Sequence, residues 1–169
     1  LILHLLQGCV LHADETPVAQ LDPGSGKTQR AYLWAYRSND FELGPRIIVF
    51  DYQTSRSGKH VQNFLNKWQG HLLVDDYSGY KALFSKTASP CTELGCWAHA
   101  RRKFFDLHQA NASTIALEAL QRIGKLYAVE AEGKHSSTEV RQILRAEKAC
   151  RSCNRCTTGY CKPAFIPPM

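Results

Sequence analysis

The chain has 169 residues, the size of one ordinary domain, and its 44% apolar and 21% charged residues are typical of a globular protein. No apolar run approaches the ~20 residues that a membrane-spanning helix needs. The net charge of +6 and the pI of about 9.0 are compatible with a polyanionic partner, but they do not identify one.

The first residues, Leu1–Gln7, are apolar, but they lack an initiating Met and the basic start of a signal peptide. We therefore expect a piece of a longer chain with a cytoplasmic location and reduced thiols. Three of the seven cysteines, Cys9, Cys91 and Cys96, stand in apolar surroundings and are expected to be small core residues.

The predicted elements begin with strands. A first strand over Val10–Ala13 ends at Asp14, and the prolines and glycines of Thr16–Arg30 predict a loop. Aromatic and β-branched residues predict two further strands, Ala31–Tyr36 and Arg46–Tyr52. The turn between them favours a three-strand antiparallel meander.

Helices and two more strands follow. A helix opens near Ser57 and is expected to end at Gly70, and the strand after it, His71–Val74, favours a parallel neighbour reached by a right-handed crossover. The remaining predicted elements are a short helix at 80–84, a strand at 92–97, a basic helix at 98–108, a long helix capped by Ser113 or Thr114, and a polar helix at 138–148.

Two aspartates follow apolar strands. Asp14 comes after the first strand and Asp75 after the fourth. A carboxylate in such a place is costly to bury unless it is paired or binds a metal. A single strand-end Asp more often caps a turn, but two on neighbouring strands can hold divalent cations for phosphate chemistry.

A glutamate on the long helix is a candidate third acid. Glu130 follows Ile123, Leu126 and Tyr127 by seven, four and three residues, and these intervals predict that it lies on the buried face of the helix. Glu132 lies further round the helix and points elsewhere. Both residues stay open as the third acid, and Glu130 is the better candidate.

The order of the elements is typical of the ribonuclease H-like fold. The predicted fold class is α/β, a mixed sheet of a three-strand meander plus two strands, flanked by helices and followed by extra C-terminal helices. In that fold the first and fourth strands lie side by side, and a helix brings a third acid toward their ends. Asp14, Asp75 and Glu130 fit those three places.

Five segments of the chain resemble the bacterial DDE transposases of the insertion sequence 66 group, and the resemblance covers roughly Leu1–Lys148. The matching segments are LHADETPV at 11–18, VFDYQTSRSGKH at 49–60, LLVDDYSGY at 72–80, GCWAHARRKFFD at 95–106 and LYAVE at 126–130.

The resemblance implies a transposase core that cleaves DNA strands and transfers them with the help of Mg²⁺ or Mn²⁺, with two ions expected. Asp14 matches the first acid of the family, Asp75 the second, and Glu130 best matches the third. Asp76 stands where the family often has Gly. The implied partners are transposon ends and target DNA, with no membrane, a homo-oligomer in the full-length protein, and association with the nucleoid during the reaction.

Basic residues are candidates for contacts with DNA phosphates. Arg101, Arg102 and Lys103 stand together in the predicted basic helix, and Arg56 and Lys59 are further candidates. Such contacts position DNA without reading its sequence. For each residue taken singly, a solvated helix face is an equally good explanation.

The last residues are rich in cysteine, unlike the rest of the chain, and we predict a core over 1–148 and a Cys-rich tail over 149–169. The tail has enough thiols for a zinc or iron–sulfur site, but the resemblance stops there, and a frameshift product is the preferred interpretation. The tail cysteines are Cys150, Cys153, Cys156 and Cys161.

Three other functions stay open. The chain could be a ribonuclease H-like nuclease without strand transfer, a DNA-binding remnant without chemistry, or a metal protein that uses the tail cysteines. Because the amino-terminal regions that the family uses to recognise transposon ends are expected to be missing, we expect weak or no activity from the isolated chain.

Overall fold

A computed structural model describes residues 1–40, 44–85 and 91–149 of the chain. The chain divides into two compact units, Leu1–Cys96 and the part from Trp97 onward. The predicted division into a core over 1–148 and a tail over 149–169 stays a prediction, because the four tail cysteines lie outside the described residues. Among the helices of the described part, none is long and apolar enough to cross a membrane.

The first unit is built on a five-stranded mixed sheet with the order β3-β2-β1-β4-β5. Strands β1, β2 and β3 form an antiparallel meander, whereas β4 is parallel to β1 and β5 is parallel to β4. This confirms the predicted fold class and is consistent with a ribonuclease H-like sheet. The strands are β1 Val10–Asp22, β2 Lys27–Ser38, β3 Ile48–Gln53, β4 Gly70–Val74 and β5 Cys91–Gly95.

The described residues of the first unit form three helices, α1 Ile2–Leu5, α2 Gly58–Leu65 and α3 Ser78–Phe84. Side chains alternate across a strand, and the core side of β1 therefore carries Leu11 and Ala13, both buried. The core continues through other fully buried side chains of the strands and helices. They include Trp34, Tyr36, Val61, Leu65, Leu72, Val74 and Tyr80.

A long β-ribbon replaces the loop predicted over Thr16–Arg30. Strands β1 and β2 stay paired as far as Asp22 and Lys27, so that prediction was wrong. The Pro and Gly signals mark a short turn, in which Gly24 and Gly26 have φ of 86° and 65°. Strand β1 pairs with β4 only over residues 10–12. Beyond these residues, the edge of β1 that faces away from β2 is not paired with β4, so it tolerates Pro17, which has no N–H to donate.

The helix predicted to reach Gly70 ends earlier. Helix α2 stops at Leu65, where Asn66 takes a positive φ of 47° and ends the regular turns. Trp68 lies beyond the helix but is buried, and its indole N–H donates to the carbonyl of Gly8 at 2.9 Å. Its apolar spacing therefore reflects packing onto the core rather than continuation of the helix.

Of the three cysteines expected in the core, only one is fully buried. Cys91 at the start of β5 is buried, and burial raises the pKa of its thiol. Cys96 is half-buried, and Cys9 is exposed. The expectation for Cys9 was wrong because the residue precedes β1, outside the alternating pattern that directs side chains into the core.

The second unit is helical in its described part. It contains α4 Trp97–Asn111, α5 Thr114–Glu132 and α6 Thr138–Leu144, and a wider π-type turn over Arg145–Ala149 continues α6. The polar helix predicted at 138–148 is therefore this combined segment. Helix α5 begins where Ser113 accepts a hydrogen bond from the amide of Ala116 at 3.2 Å, which identifies Ser113 as the N-cap.

Candidate active site

The register between β1 and β4 relates the positions of Asp14 and Asp75. Strand β1 is parallel to β4, and the last residues paired between them are His12 and Leu73. Asp14 lies two residues further along β1, and Asp75 lies two residues beyond Leu73, directly after the end of β4. The same register, extended by two residues, brings the two candidate acids side by side at the carboxyl end of β4.

Both carboxylates keep oxygens available for a ligand. Asp14 is exposed, and its side chain forms no hydrogen bond or ion pair with any described residue. Asp75 is half-buried, and its Oδ1 accepts a hydrogen bond from the amide of Tyr77 at 2.9 Å. Its Oδ2 accepts none from the described residues, so the two side chains together present three open oxygens.

The residue next to Asp14 lies on the other side of the sheet. Glu15 shares the core face of β1, and only 1% of its side chain is exposed. Its Oε1 accepts a hydrogen bond from Nε of Arg56 at 2.8 Å, and its Oε2 accepts one from the hydroxyl of Tyr80 at 2.7 Å. A buried carboxylate requires partners of this kind, because an unpaired one would be strongly destabilising.

Arg56 links this carboxylate to the segment that follows β4. Its guanidinium lies over the ring of Tyr77, 3.8 Å from the centroid, and the hydroxyl of Tyr77 donates to the carbonyl of Arg56. Burial lowers the pKa of Arg56, but its hydrogen bond to Glu15 and the charge of that carboxylate outweigh this effect and raise the pKa overall. The guanidinium of Arg56 therefore stays protonated and positively charged.

Tyr80 contributes both a hydrogen bond and aromatic ring contacts to the same network. Burial, together with the hydrogen bond to Glu15, raises the pKa of Tyr80 far above its usual range, so its hydroxyl stays a donor. The Tyr80 ring meets Trp34 and Tyr77 edge to face, with centroids 5.8 Å and 5.9 Å away. The network thus joins the interior of the sheet to the turn at Asp75.

Glu130 lies on α5 in the second unit and has a strong partner. Its two carboxylate oxygens accept hydrogen bonds from Nε and Nη2 of Arg145 at 2.7 Å and 2.6 Å. The side chains of Glu130 and Arg145 are only 15% and 22% exposed. The predicted placement on the buried side of the helix therefore has a physical explanation, since Arg145 neutralises the charge.

Glu132 points away from that partner, as its helical position predicts. About half of its side chain is exposed, and it pairs with Lys148 at the surface. Within residues 1–40, 44–85 and 91–149, no group of three or more His, Cys, Asp or Glu side chains is arranged to hold a metal ion. The three-acid set of Asp14, Asp75 and Glu130 therefore stays a prediction.

The candidate DNA contacts have different surroundings. Arg101, Arg102 and Lys103 are exposed on α4, and Lys59 is exposed in the first turn of α2. Arg56 differs from them, because its guanidinium is held by Glu15 and by the Tyr77 ring. Their contact with DNA stays a prediction.

Sequence reasoning did not identify Glu15, Tyr77 or Tyr80. One signal was available, because strand alternation from Leu11 and Ala13 puts Glu15 on the core face, where a carboxylate needs a partner. The sequence does not show which residues are the partners of Glu15. Tyr80 is 65 residues away from Glu15 along the chain, and Arg56 is 41 residues away.

Comparison with known proteins identifies the relatives of the chain. The family described as "Transposase IS66 family" matches residues 1–159. The uncharacterized protein y4qI of Sinorhizobium fredii (strain NBRC 101917 / NGR234) is 38% identical over 151 residues, which cover 85% of this chain and 28% of the relative.

Two further proteins of the same strain are similar. The uncharacterized protein y4jD is 34% identical over 140 residues, covering 79% of this chain and 27% of the relative. The uncharacterized protein y4hP is 33% identical over 165 residues, covering 86% of this chain and 29% of the relative. The chain thus spans less than a third of the length of each of these three relatives.

Proposed function

The chain belongs to the IS66 family of transposases, and we propose that it forms part of a catalytic core that cleaves and joins DNA strands with the help of divalent cations. The observation that carries the proposal is the parallel pairing of β1 with β4, whose last pair, His12 and Leu73, lies two residues before Asp14 and two residues before Asp75. Family membership supports a DNA-processing role, and the two acids supply ligands suited to its chemistry.

The donor set fits a hard cation. Mg²⁺ and Mn²⁺ prefer carboxylate oxygens, and Asp14 and Asp75 present oxygens that no described residue occupies. When bound, a pair of such ions activates the attacking oxygen and stabilises the leaving oxygen of a phosphodiester. Asp14 and Asp75 would hold the ions, and Glu130 is the proposed third acid.

The reaction has two proposed steps. In cleavage, a water oxygen attacks a backbone phosphorus atom and gives up a proton to solvent, while the bond from phosphorus to the 3′ oxygen breaks and that oxygen takes up a proton from solvent, which leaves a 5′-phosphate and a 3′-hydroxyl. In joining, that hydroxyl gives up its proton to solvent and attacks a phosphorus atom of a second strand, and the 3′ oxygen displaced there takes up a proton and becomes a new 3′-hydroxyl. The part of this chain is to hold Asp14 and Asp75 in place and to bind the DNA backbone through exposed cations.

The ion pair between Arg145 and Glu130 competes with cation binding by Glu130. Because both oxygens of Glu130 accept hydrogen bonds from Arg145, this ion pair must open before Glu130 can hold a cation. Arg145→Gln should therefore make Glu130 available. If Glu130 is a ligand, this variant should bind Mg²⁺ or Mn²⁺ more tightly than the unmodified chain, and Glu130→Gln should bind the ion more weakly.

The first test is calorimetric titration of Mg²⁺ or Mn²⁺ into the chain and into an Asp14→Asn, Asp75→Asn double variant. We expect binding by the chain and its loss in the double variant. Asp76→Asn is the matched control, because Asp76 is the adjacent acid and already pairs with Lys81 at 3.1 Å. Absence of binding in a folded chain, or its survival in the double variant, would refute the proposed site.

DNA assays separate the proposed reaction from the alternatives. Joining of a cleaved, labelled duplex in Mg²⁺ supports a transposase core, whereas cleavage without joining indicates a nuclease without strand transfer. The occupied oxygens of Glu130 favour a second candidate, a DNA-binding remnant without chemistry. DNA binding that depends neither on the cation nor on the acids would establish that candidate.

The basic helix can be tested by the salt dependence of DNA binding. Replacing Arg101, Arg102 and Lys103 by Gln together should weaken binding to any DNA sequence, because phosphate contacts carry no sequence information. If all three contact phosphates, the slope of log affinity against log salt should fall by about 2–3. An unchanged slope would show that α4 faces solvent instead.

A further inference from the structure

A buried carboxylate lies beside the candidate site without belonging to it. Glu15 follows Asp14 in β1, and strand alternation turns its side chain to the opposite face. There it is almost completely buried and accepts hydrogen bonds from Arg56 and Tyr80. The proposed reaction gives this group no chemical part, and its position needs another explanation.

The partners of Glu15 lead back to the second acid. Arg56 lies over the ring of Tyr77 and accepts a hydrogen bond from the Tyr77 hydroxyl through its own carbonyl. The amide of Tyr77 donates to Oδ1 of Asp75 at 2.9 Å. An unbroken series of contacts therefore runs from the residue beside Asp14 to the side chain of Asp75.

We infer that Glu15 and Arg56 are positioning residues that hold Asp14 and Asp75 in register for a divalent cation. The inference rests on the proposed function, because it assumes that the two aspartates bind the cation. Glu15 fixes β1 from the core side at the level of Asp14. Arg56 transmits this constraint to the Tyr77 turn, which orients the carboxylate of Asp75.

Stability alone is a poor explanation for this arrangement. The Glu15 carboxylate loses its hydration, whereas 43% of the Arg56 side chain stays exposed, and an ion pair that dehydrates a charge contributes little net stability compared with apolar residues of similar volume. A role in orientation explains the geometry better, since Glu15 is adjacent to Asp14 on β1 and Arg56 contacts Tyr77, whose amide donates to Asp75. Residues that orient metal ligands typically change metal affinity by about 10–100-fold when they are replaced.

The experiment measures Mn²⁺ affinity by electron paramagnetic resonance of the free ion, using the full chain without DNA. Glu15→Gln keeps the size of the side chain and removes its charge, and it should weaken Mn²⁺ binding about 10-fold or more. Asp40→Asn is the matched control in the same unit. It also removes a carboxylate paired with an arginine, Arg37, and it follows the end of β2, where Ser38 pairs with Leu11 rather than with Asp14.

The Arg56→Gln variant distinguishes a positioning role from a purely electrostatic effect on Mn²⁺ affinity. Removing a positive charge near a cation site should tighten Mn²⁺ binding if charge alone matters. The positioning role predicts the reverse, a loss of about 10-fold, because the series of contacts to Asp75 is interrupted. Tighter or unchanged binding by Arg56→Gln would overturn the inference.

Tyr80→Phe covers the case in which Glu15→Gln does not fold. It removes only the hydroxyl that donates to Oε2 of Glu15, and we expect a weaker Mn²⁺ affinity with a native circular dichroism spectrum. Unchanged affinity in every folded variant overturns the positioning role, even though the chain itself binds Mn²⁺. If the unmodified chain binds no Mn²⁺, the proposed metal site fails, and this inference fails with it.

Discussion

The contact between α2 and α3 supports a sharp prediction about Gly58. A Cβ at this position would lie 2.1 Å from the carbonyl oxygen of Gly79 and 2.9 Å from its carbonyl carbon. Ordinary van der Waals contact begins at 3.4 Å, so Gly58→Ala requires the two helices to separate by more than 1 Å. Because both partners are backbone atoms, no side-chain rotation can relieve the overlap.

The magnitude follows from two opposing effects. Replacing Gly by Ala in a helix normally stabilises a protein by about 0.5–1 kcal/mol, because Ala loses less backbone entropy on folding. Overpacking typically costs about 1–3 kcal/mol. We therefore expect Gly58→Ala to lower the free energy of unfolding by about 1–2 kcal/mol, which corresponds to a melting temperature roughly 2–8 °C lower.

The matched control is Gly124→Ala on α5. Gly124 is exposed, and a Cβ there would meet no atom within 4 Å. The same substitution should therefore raise the free energy of unfolding by about 0.5–1 kcal/mol. Urea denaturation followed by circular dichroism measures both variants. A Gly58→Ala variant as stable as the unmodified chain would refute the close contact of the two helices.

Three further predictions concern single side chains. The hydrogen bond from Arg37 lowers the pKa of Asp40, so this carboxylate stabilises the fold above about pH 4 and the stabilisation disappears as the pH falls further. Asp40→Asn should cost about 0.5–1 kcal/mol in urea denaturation at pH 7, and a difference that persists unchanged at pH 3 would contradict this. Glu130→Gln should cost about 1–3 kcal/mol, because it removes the carboxylate charge that accepts two hydrogen bonds from the largely buried Arg145; a melting temperature equal to that of the unmodified chain would contradict the ion pair. Ser113→Ala should cost about 1 kcal/mol by removing the N-cap of α5, and unchanged helix content and stability by circular dichroism would argue against the cap.

The sequence determined the apolar strand segments that precede the two candidate acids, although β1 continues past Asp14 to Asp22. Apolar runs before Asp14 and Asp75 identified the start of β1 and most of β4. The strand–helix–strand order favoured a parallel neighbour for β4, and the resemblance of the element order to the ribonuclease H-like fold predicted that this neighbour is β1, as the sheet confirms. The start of α5 at Ser113 or Thr114, of which the structure selects Ser113, and the place of Glu130 on the inner face of that helix also followed from the sequence. These features depend on local propensity and periodicity, which a short window of residues contains.

Tertiary structure decided the features that depend on distant partners. The ribbon around Pro17 forms because two strands pair along their whole length, although the local proline and glycine signals favour a loop. Glu15 can be buried because Arg56 and Tyr80, 41 and 65 residues away, supply its hydrogen bonds. Glu130 can lie on the inner side of α5 because Arg145 neutralises it. A charged group is stable in the interior only when the fold brings a partner to it, and no local sequence pattern specifies which residue that partner is.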